Sequence, residues 1–497
     1  MNAHALSSNP QAAHGAGPVA PLDVGPGRVA LVYGLGVAGR AAVELLLERG
    51  ATVLVADDSG LPTFPDSWGE PARVESFDPQ DVEAMPALDV MVTSPGVPKD
   101  RPLIRAALER EIPVVDETTF AWSVLEAVRP DVAGRLVAIT GSNGKSTTTA
   151  LTAALFESGT ARACGNIGTP FSECVLDLVA GRESSEVLVV ELSSFQLEAV
   201  GEKAPARFRP RAAALLNVSP DHLDRHGSSE EYVSAKRRIF AAQEGGDVAV
   251  LNEDDPISRS TVLPDGVRRR SFSMRSQVAD GCYVQGDTVW LNAPEEPAKS
   301  VAAVSDLRLA GGHNVENLMA AMALADAVGA DGDLSARLRA FRGLPHRSEL
   351  VAEINGVRWV DDSKGTNVGA TMKCLEGWPD DSVHLIAGGR GKGGDFTPML
   401  DLVQRKVRRL YLVGEAAEQL ANDLRDAAPI EQCGDIATAV RLAADHASDG
   451  HVVLLSPACA SFDQFTGFAE RGRFFQQQVG ALVSSAASSL SRSGGRC

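Results

Sequence analysis

The sequence predicts an α/β protein with three consecutive domains, each built on a mainly parallel sheet. Short β-rich runs alternate with helix-compatible segments along the chain, which favours parallel strands joined by crossover helices. Two glycine-bearing turns, beginning near residues 34 and 141, each follow an apolar strand and precede a helix-forming segment. The chain of 497 residues is long enough for several full-sized cores.

The strand-like runs fall into three series that define the predicted domains. Residues 28–116 form a Rossmann-like N-terminal domain, 117–344 a central P-loop ATPase-like domain and 345–485 a Rossmann-like C-terminal domain. The stretch "CYVQGDTVWL" predicts an antiparallel hairpin within the central domain, and "GGHNVENLMAAMALADAVG" predicts a long helix there. The glycine and proline of "FRGLPHR" favour a hinge before the third series. The predicted strand-like runs are 28–34, 52–58, 88–94, 113–117, 135–141, 186–192, 212–218, 247–252, 357–362, 383–389, 408–414 and 451–456.

The two ends of the chain are expected to lie outside these domains. Residues 1–27 lack the basic start and apolar core of a signal peptide and are predicted to be a flexible leader. The serine-rich segment 486–497 is predicted to be disordered.

Composition restricts the partners and the compartment. A net charge of -18 argues against nucleic acid or an anionic membrane surface as the main partner, but leaves an anionic small substrate possible. The seven cysteines are scattered and lack C-x-x-C pairing, which is typical of a reducing cytosol and predicts neither zinc nor disulfides. No window approaches the apolar length of a membrane span. We therefore expect a cytoplasmic protein, and a monomer.

The first glycine turn, "GLGVAG", has the G-x-G-x-x-G spacing of a dinucleotide-binding fold. Gly34, Gly36 and Gly39 lie between a strand and a helix, and Asp57 ends the next strand, where such folds place a ribose-binding acid. Free amides at the helix N-terminus would favour a phosphate. A tight packing turn without a ligand is the alternative, and the motif does not distinguish NAD from another nucleotide. The later "TSPGV" could add hydroxyl and amide donors.

The second glycine turn, "TGSNGKST", matches the end of a P-loop. Its amides would surround phosphates, Lys145 would neutralise them, and the hydroxyl of Ser146 would hold magnesium. Ile139 replaces the first glycine of the strict motif, and a chance lysine in a βα turn is the alternative. ATP is the ligand that this turn favours.

Several residues downstream could complete such a site. Glu191 ends the apolar strand "EVLVVEL" and His222 follows the strand "AAALLNV", so both face the carboxyl edge of a parallel sheet. In the same "DHLDRH" cluster His226 is expected to face solvent. Lys236 shares a helix face with the apolar side chains around it; a snorkelling lysine that covers this face is the alternative to a functional one.

The motifs taken together resemble those of the muramyl ligase family over residues 28 to 480. They are "TGSNGKST", "GNIGTP", "ELSSFQLE", "NVSPDHLDRH", "GGHNVENLMAA", "GLPHRSELV", "DDSKGTNVGAT" and "SPACASFDQF". The resemblance implies an ATP-dependent amide-forming ligase of peptidoglycan precursor synthesis with an acyl-phosphate intermediate. Within the family, the motifs resemble those of members that add D-glutamate to UDP-N-acetylmuramoyl-L-alanine.

The resemblance also implies roles for individual residues. The proposed catalytic residues are Lys145, Glu191, His222 and Lys236; the metal ligands, for two Mg²⁺ ions, are Ser146, Glu191, His222 and Lys236 as a carbamate. The ATP residues are Gly141, Ser142, Asn143, Gly144, Lys145, Ser146, Thr147, Asn317, Arg347 and Asp362. The UDP-substrate residues are Val37, Ala38, Asp57, Asp58, Ser59, Ser94, Gly96, Asn166, Ser193 and Gln196. The D-glutamate residues are Lys364, Thr366, Lys392, Ser461, Phe462 and Phe468.

Three alternatives are weighed against this interpretation. A nicotinamide dehydrogenase would use "GLGVAG" but would leave the P-loop, Glu191 and His222 without a role, so NAD is not expected. A P-loop switch or assembly protein would bind nucleotide without substrate turnover. Sibling ligases that add L-alanine, a diamino acid or a dipeptide, and the folate polyglutamate ligases, share the ATP motifs.

Overall fold

The chain forms two compact units in a computed structural model. The model describes residues 22, 24–60, 64–65, 68, 73–199, 208–219, 226–309, 311–391 and 395–493. One unit comprises Met1–Ala133, Pro170–Glu183 and Glu198–Arg209, and the other comprises Gly134–Thr169, Ser184–Leu197 and Pro210–Cys497. The predicted leader lies outside the described residues except for 22 and 24–27.

The first unit is built on a five-stranded parallel sheet in the order β3-β2-β1-β4-β5. Its strands are β1 (Val29–Tyr33), β2 (Thr52–Ala56), β3 (Val74–Ser76), β4 (Val90–Thr93) and β5 (Val114–Asp116). Its helices are α1 (Val37–Glu48), α2 (Pro102–Glu109), α3 (Glu117–Val128), α4 (Pro130–Ala133) and α6 (Phe171–Val179). Buried apolar strand residues such as Leu31 and Met91 pack with Leu103 of α2 in its core. Because β1 lies between β2 and β4, the carboxyl ends of these three strands are neighbours.

The second unit contains a nine-stranded sheet in the order β14-β13-β12-β11-β10-β9-β6-β8-β7. Its strands are β6 (Val137–Thr140), β7 (Ala161–Gly165), β8 (Val187–Glu191), β9 (Ala212–Leu215), β10 (Val248–Asn252), β11 (Arg268–Ser273), β12 (Gly281–Gln285), β13 (Thr288–Ala293) and β14 (Glu296–Ala303). The strands from β7 to β12 pair in parallel, and β12, β13 and β14 form an antiparallel extension.

Helices around this sheet carry much of its core. They are α5 (Lys145–Ala154), α7 (Ser194–Ala199), α8 (Ser229–Arg237), α9 (Pro256–Arg259), α10 (Gly312–Ala327) and α11 (Leu334–Ala340), with 3₁₀ turns at Arg238–Phe240 and Val304–Asp306. Leu318, Met319 and Met322 of α10 are buried against the strands, together with Leu151 of α5. The sheet therefore fixes α5 and α10, which both border the P-loop.

The same unit contains a six-stranded sheet in the order β15-β16-β20-β17-β18-β19, parallel except for the edge strand β15. Its strands are β15 (Glu349–Ile354), β16 (Val357–Asp361), β17 (Val383–Gly388), β18 (Val407–Val413), β19 (Ile430–Gly434) and β20 (Val452–Leu455). Its helices are α12 (Val368–Glu376), α13 (Leu400–Lys406), α14 (Ala417–Asp423), α15 (Ile436–His446) and α16 (Phe468–Ser493), with a 3₁₀ turn at Thr397–Met399. Apolar clusters cover both faces of the sheet.

The predicted fold class is confirmed, including the long helix α10 and the β12–β13 hairpin, whose ends pair Gln285 with Thr288. The strands that the sequence does not predict are β3, β7, β11, β14, β15 and β19. The final helix also differs from expectation: it reaches Ser493 and so includes most of the segment predicted to be disordered, because no glycine or proline interrupts it between Gly480 and Gly494. Among the described helices, none is long and apolar enough to cross a membrane.

Candidate active site

The predicted P-loop is a tight turn between β6 and α5, as expected. The N-terminus of α5 has no side-chain cap, so its amides and the helix dipole are available to an anion. Asn217 braces the turn, because its Oδ1 accepts from the amide of Asn143 at 2.9 Å and its Nδ2 donates to the Asn143 carbonyl at 3.1 Å. The segment that follows β9 therefore holds the P-loop in shape.

Gly144 ends this loop with a φ of +84°, a left-handed conformation that favours glycine. A Cβ at this position would collide with Oδ1 of Asn317. Asn317 accepts from Oγ1 of Thr148 at 3.2 Å and donates to Oδ1 of Asn314 at 3.2 Å. The structure thus places Asn317 against the P-loop, beside the residues with which the sequence groups it.

Two lysines converge on one carbonyl of the P-loop. Nζ of Lys145 donates to the Gly141 carbonyl at 2.8 Å and to the Ser142 carbonyl at 2.9 Å, and Nζ of Lys236 donates to the Gly141 carbonyl at 2.8 Å. The two nitrogens can be no more than twice 2.8 Å apart. Lys236 is 1% exposed and its Nζ lies 4.6 Å from the ring centre of Tyr232, so the predicted shared face is confirmed.

Glu191 lies at the end of β8 and is 2% exposed. Its Oε1 accepts from Nδ2 of Asn166 at 2.9 Å, and its buried Oε2 has no hydrogen-bond partner among the described residues. A buried carboxylate oxygen without a donor fits a cation ligand, and oxygen is the ligand that Mg²⁺ prefers. His222, the other predicted metal ligand at this edge, lies outside the described residues.

A cleft is lined by residues in the loops and helices that adjoin both sheets of the second unit. Of the residues predicted for ATP, those that line it are Asn143, Gly144, Thr147, Asn317, Arg347 and Asp362. Three other residues predicted for ATP make hydrogen bonds around the P-loop. Nζ of Lys145 donates to a carbonyl of the P-loop, and Oγ of Ser142 donates to the Ser219 carbonyl at 3.0 Å. Oγ of Ser146 accepts a hydrogen bond from Arg347.

Arg347 joins the two sheets at this cleft. Its NH2 donates to Oγ of Ser146 at 2.6 Å, although the two residues are 201 positions apart in sequence. Burial lowers the pKa of the Arg347 guanidinium, and an arginine side chain in a protein carries its positive charge at neutral pH. A fixed cation therefore faces the first turn of the P-loop helix.

Asp362 lies on the same wall and is 8% exposed. Its Oδ1 accepts from the amide of Ser348 at 3.2 Å and its Oδ2 from Oγ of Ser456 at 2.7 Å. Burial raises the pKa of Asp362 to about 6 despite these bonds and the nearby Arg347. The carboxylate is thus fixed in orientation, as a group that accepts ribose hydroxyls would need to be.

The predicted D-glutamate residues come partly together. Nζ of Lys364 lies 4.0 Å from the ring centre of Phe468, and Lys364 also lines the cleft. The Thr366 amide donates to the Lys364 carbonyl at 2.7 Å. Ser461 is buried, whereas Phe462 is 61% exposed. Lys392 lies outside the described residues.

The remaining predicted residues of this unit are Ser193 and Gln196, at the start of α7. Oε1 of Gln196 accepts from the amide and Oγ of Ser193 at 3.0 and 2.9 Å. The expectation that His226 faces solvent is wrong: it is 3% exposed, contacts Oγ of Ser194 at 3.0 Å and packs its ring edge-on against Tyr232. The aromatic neighbours Phe195 and Tyr232 bury it, and sequence spacing did not reveal them.

The first unit has its own glycine turn at the carboxyl edge of its sheet. A Cβ on Gly39 would collide with the Gly34 carbonyl, so α1 can approach β1 only with glycine there. Oγ of Ser94 donates to the same carbonyl at 2.6 Å. Val37, which is 70% exposed, opens α1, whose N-terminus has no side-chain cap. Ala38 follows it in the same helix.

The predicted acids of this unit brace its loops. Oδ2 of Asp57 accepts from the Leu35 amide at 2.6 Å, and its Oδ1 accepts from the amide and Oγ of Ser59 at 2.9 and 2.6 Å. Burial alone would raise the pKa of Asp57, but these bonds outweigh it and lower the pKa. Asp58 accepts from the Tyr33 hydroxyl at 2.6 Å and pairs with Arg101. The predicted UDP-side residues of β1, β2 and β4 thus gather at one edge, with Gly96 in the turn after β4.

Three family models match successive parts of the chain. They are described as "Mur ligase MurD-like, N-terminal domain" over residues 28–116, "Mur ligase middle domain" over 139–325 and "Mur ligase, glutamate ligase domain" over 346–459. Curated relatives match over nearly their whole length. The UDP-N-acetylmuramoylalanine--D-glutamate ligase of Geotalea uraniireducens is 40% identical over 467 residues, covering 91% of this chain and 97% of its own. That of Anaeromyxobacter dehalogenans is 41% identical over 459 residues, covering 90% and 96%. The chain belongs to the Mur ligase family.

Solved structures of Mur ligases agree in fold. The MurF ligase of Thermotoga maritima in complex with ADP has a TM-score of 0.56 at 16% identity, covering 93% of this chain and 97% of its own. The UDP-N-acetylmuramate-alanine ligase MurC of the same organism has a TM-score of 0.54 at 18% identity, covering 91% and 99%. At this identity the likeness concerns the architecture.

One bracing residue of this Mur ligase is not predicted by its sequence. Arg471 is 2% exposed and donates to Oγ and the carbonyl of Ser363 at 3.0 and 2.8 Å and to the Cys459 carbonyl at 3.1 Å. Burial lowers its pKa to about 10. It therefore holds together the segments that carry Lys364 and Ser461. The "FAERGRF" pattern gives no signal of this, because Ser363 is 108 residues away and the Cys459 carbonyl belongs to a separate loop 12 residues upstream.

Proposed function

We propose that this Mur ligase joins D-glutamate to UDP-N-acetylmuramoyl-L-alanine with ATP, in the cytoplasm, as a step of peptidoglycan precursor synthesis. The observation that carries the proposal is the cleft between the P-loop and the six-stranded sheet, which is lined by Arg347 and Asp362. The relatives named for this activity, at about 40% identity over almost the full length, support the choice of substrates.

The chemistry requires an activated carboxyl group, because a carboxylate is a poor electrophile. The L-alanine carboxylate attacks the γ-phosphorus of ATP, and the bond between that phosphorus and the oxygen bridging to the β-phosphate breaks. ADP departs with the bonding electrons, and the carboxyl group has become an acyl phosphate. The amine of D-glutamate then attacks the carbonyl carbon, phosphate departs with the bonding electrons, and the nitrogen loses a proton. Fixed cations and amides that face the developing charge stabilise both steps.

The residues of the cleft suit the first step. The amides of the P-loop and Lys145 hold the phosphates, and Arg347 faces Ser146 from the third sheet. Asp362 and Asn317 orient the nucleoside. Arg347 and Asp362 lie in segments that adjoin the six-stranded sheet, and the P-loop adjoins the nine-stranded sheet. Binding the phosphates and the nucleoside together therefore requires both sheets.

Magnesium fits the donor set. Glu191, Ser146 and Lys236 as a carbamate would hold it, with His222 as a further ligand. When bound, the ion would neutralise phosphate charge. The unpartnered Oε2 of Glu191 supports this assignment. Lys364, Thr366, Ser461 and Phe468, with Lys392, are proposed to receive D-glutamate.

The first unit is proposed to bind the uridine diphosphate end of the substrate. The open N-terminus of α1 suits a phosphate, and Ser94 and Ser59 lie on the neighbouring strand ends. Asn166, Ser193 and Gln196 are proposed for the muramoyl-peptide end.

The test is ATP-dependent phosphate release with UDP-N-acetylmuramoyl-L-alanine as acceptor and D-glutamate, L-glutamate, L-alanine or a diamino acid as donor of the amine. We expect release with D-glutamate, together with an equal amount of the amide product. Release that is independent of D-glutamate, or faster with another amino acid, would overturn the proposed substrates.

A further inference from the structure

The turn that carries Arg347 is strained on both sides of this residue. His346 has a φ of +62° and Ser348 a φ of +46°, so two residues with side chains adopt the left-handed conformation around Arg347. Such backbone is costly and persists only where the surrounding contacts enforce it, most often at functional sites. The contacts that enforce this turn therefore determine where the Arg347 guanidinium lies.

A carboxylate holds the first of these residues through its backbone. Oε2 of Glu349, the first residue of β15, accepts a hydrogen bond from the amide of His346 at 2.8 Å. This bond closes the chain around Arg347 and Ser348. His346 is 6% exposed, so loss of this acceptor would deprive a buried amide of its partner. Glu349 thus stabilises the strained conformation directly.

The last helix supports the same turn from its other side. Nε2 of Gln476 in α16 donates to Oε2 of Glu349 and to Oδ2 of Asp361, both at 3.0 Å. The same oxygen of Asp361 lies 2.7 Å from Nδ1 of His346. Gly472, one turn before Gln476, leaves room for the imidazole, because a Cβ there would collide with Nδ1 of His346. His346 is therefore fixed both at its backbone amide and at its ring.

We propose that Glu349 is a positioning residue for the phosphate end of ATP: it locks the turn at His346 and so directs the Arg347 guanidinium to the P-loop. NH2 of Arg347 donates to Oγ of Ser146 at 2.6 Å, at the first turn of the P-loop helix. Among the described residues that line the cleft are Arg347 and Ser348, and Glu349 is not one of them. The inference rests on the proposed use of ATP and adds the residue that holds its phosphate-binding arginine in place.

Glu349 acts through its hydrogen bond rather than through its charge. The carboxylates whose charges act on the Arg347 guanidinium are those of Glu191 and Asp362. Glu349 instead contacts the backbone one residue before Arg347. An uncharged side chain of the same length that still accepts a hydrogen bond should therefore replace it, and one that cannot accept should not.

The experiment measures the Kd of ATP by calorimetric titration of the full chain. Glu349→Met keeps the size but offers only a weak acceptor, so it should weaken ATP binding by more than about fivefold. Glu349→Gln keeps an accepting oxygen and should bind more tightly than Glu349→Met. Glu353→Met is the matched control, because Glu353 is an exposed acid of the same strand, and it should bind ATP like wild type. A smaller loss in Glu349→Met, or an equal loss in Glu349→Gln or Glu353→Met, would overturn the inference.

A double-mutant cycle distinguishes positioning from a general loss of stability. If Glu349 acts through Arg347, adding Glu349→Met to Arg347→Ala should weaken ATP binding by no more than about twofold further. A larger further loss would show that Glu349 acts independently of Arg347. Thermal unfolding verifies that each variant is folded. Should Glu349→Met not fold, Glu349→Asp takes its place with the same thresholds, since it keeps the charge but withdraws the acceptor by one methylene.

These measurements are independent of the proposed amino-acid and sugar-nucleotide substrates, because ATP is the only ligand added. If wild-type protein released no phosphate with any amino acid while its ATP binding still depended on Glu349 through Arg347, the proposed function would fail and the role of Glu349 would stand. If wild-type protein bound no ATP, both would fail.

Discussion

Replacing Arg347 with lysine tests the proposed ATP site most directly. The guanidinium lines the cleft and its NH2 donates to Oγ of Ser146 at 2.6 Å. Lysine keeps the charge but loses the planar fork of donors that matches a phosphate. Losing one charged hydrogen bond in a partly buried site costs about 1.5–3 kcal/mol, which corresponds to a fall in kcat/KM for ATP of about 10- to 150-fold.

The assay is steady-state phosphate release with both other substrates saturating and ATP varied. Arg342→Lys is the matched control, since Arg342 lies on the same connecting segment and is exposed. Thermal unfolding of both variants verifies that they are folded. A kcat/KM for Arg347→Lys within about threefold of wild type, or an equal loss in Arg342→Lys, would refute the assignment of Arg347 to the phosphates.

Three further predictions concern Lys145, Lys236 and a buried histidine. Lys145→Ala should abolish ATP-dependent acyl-phosphate formation, measured as phosphate release; near-normal turnover would contradict its role at the P-loop. Lys236→Ala should reduce turnover severely, with partial recovery on adding short carboxylates if a carbamate is the true group; full activity without additive would leave Lys236 as a packing residue. His384 is buried against Tyr411, and burial first, with nearby cationic and histidine groups, lowers its pKa from 6.5 to about 4. The unfolded chain therefore takes up the proton first, so the contribution of His384 to stability is complete above pH 6.5 and is lost as pH falls toward 4. When the pH falls from about 7.5 to 5.5, the unfolding free energy measured by urea titration should drop by about 1.4 kcal/mol less in His384→Asn than in the wild-type protein. An equal drop in both proteins would show that another group is responsible.

The sequence predicts best those features that depend on neighbours along the chain. The P-loop needs only a strand, a glycine turn and a helix in succession, and the face shared by Tyr232 and Lys236 follows from a spacing of four residues. Both are confirmed. The hairpin of β12 and β13 was likewise predictable from alternation around a Gly-Asp turn.

Contacts between segments that are far apart along the chain could not be predicted from the sequence. Glu316 and Lys373 line one cleft because α10 and α12 meet there, and no local pattern indicates that meeting. His226 looked like part of a polar surface turn, but aromatic rings from two other segments bury it. The sequence does not predict the edge strand β14, because half of its residues are exposed and its side chains are mostly polar or small, so it lacks the apolar alternation of a half-buried strand.

The convergence of Lys145 and Lys236 on one carbonyl constrains how the site can work. Two ammonium groups within twice 2.8 Å of each other repel, and Lys236, at 1% exposure, has little water to screen that repulsion. A neutral Lys236, a Lys236 that has become an anion, or an anionic group close to both lysines would each remove this repulsion. A neutral amine is the form that captures carbon dioxide, and the resulting carbamate would turn the repulsion into attraction while supplying an oxygen ligand for a cation. Chemical rescue of Lys236→Ala distinguishes these states, because an added carboxylate can replace a carbamate but cannot replace an amine.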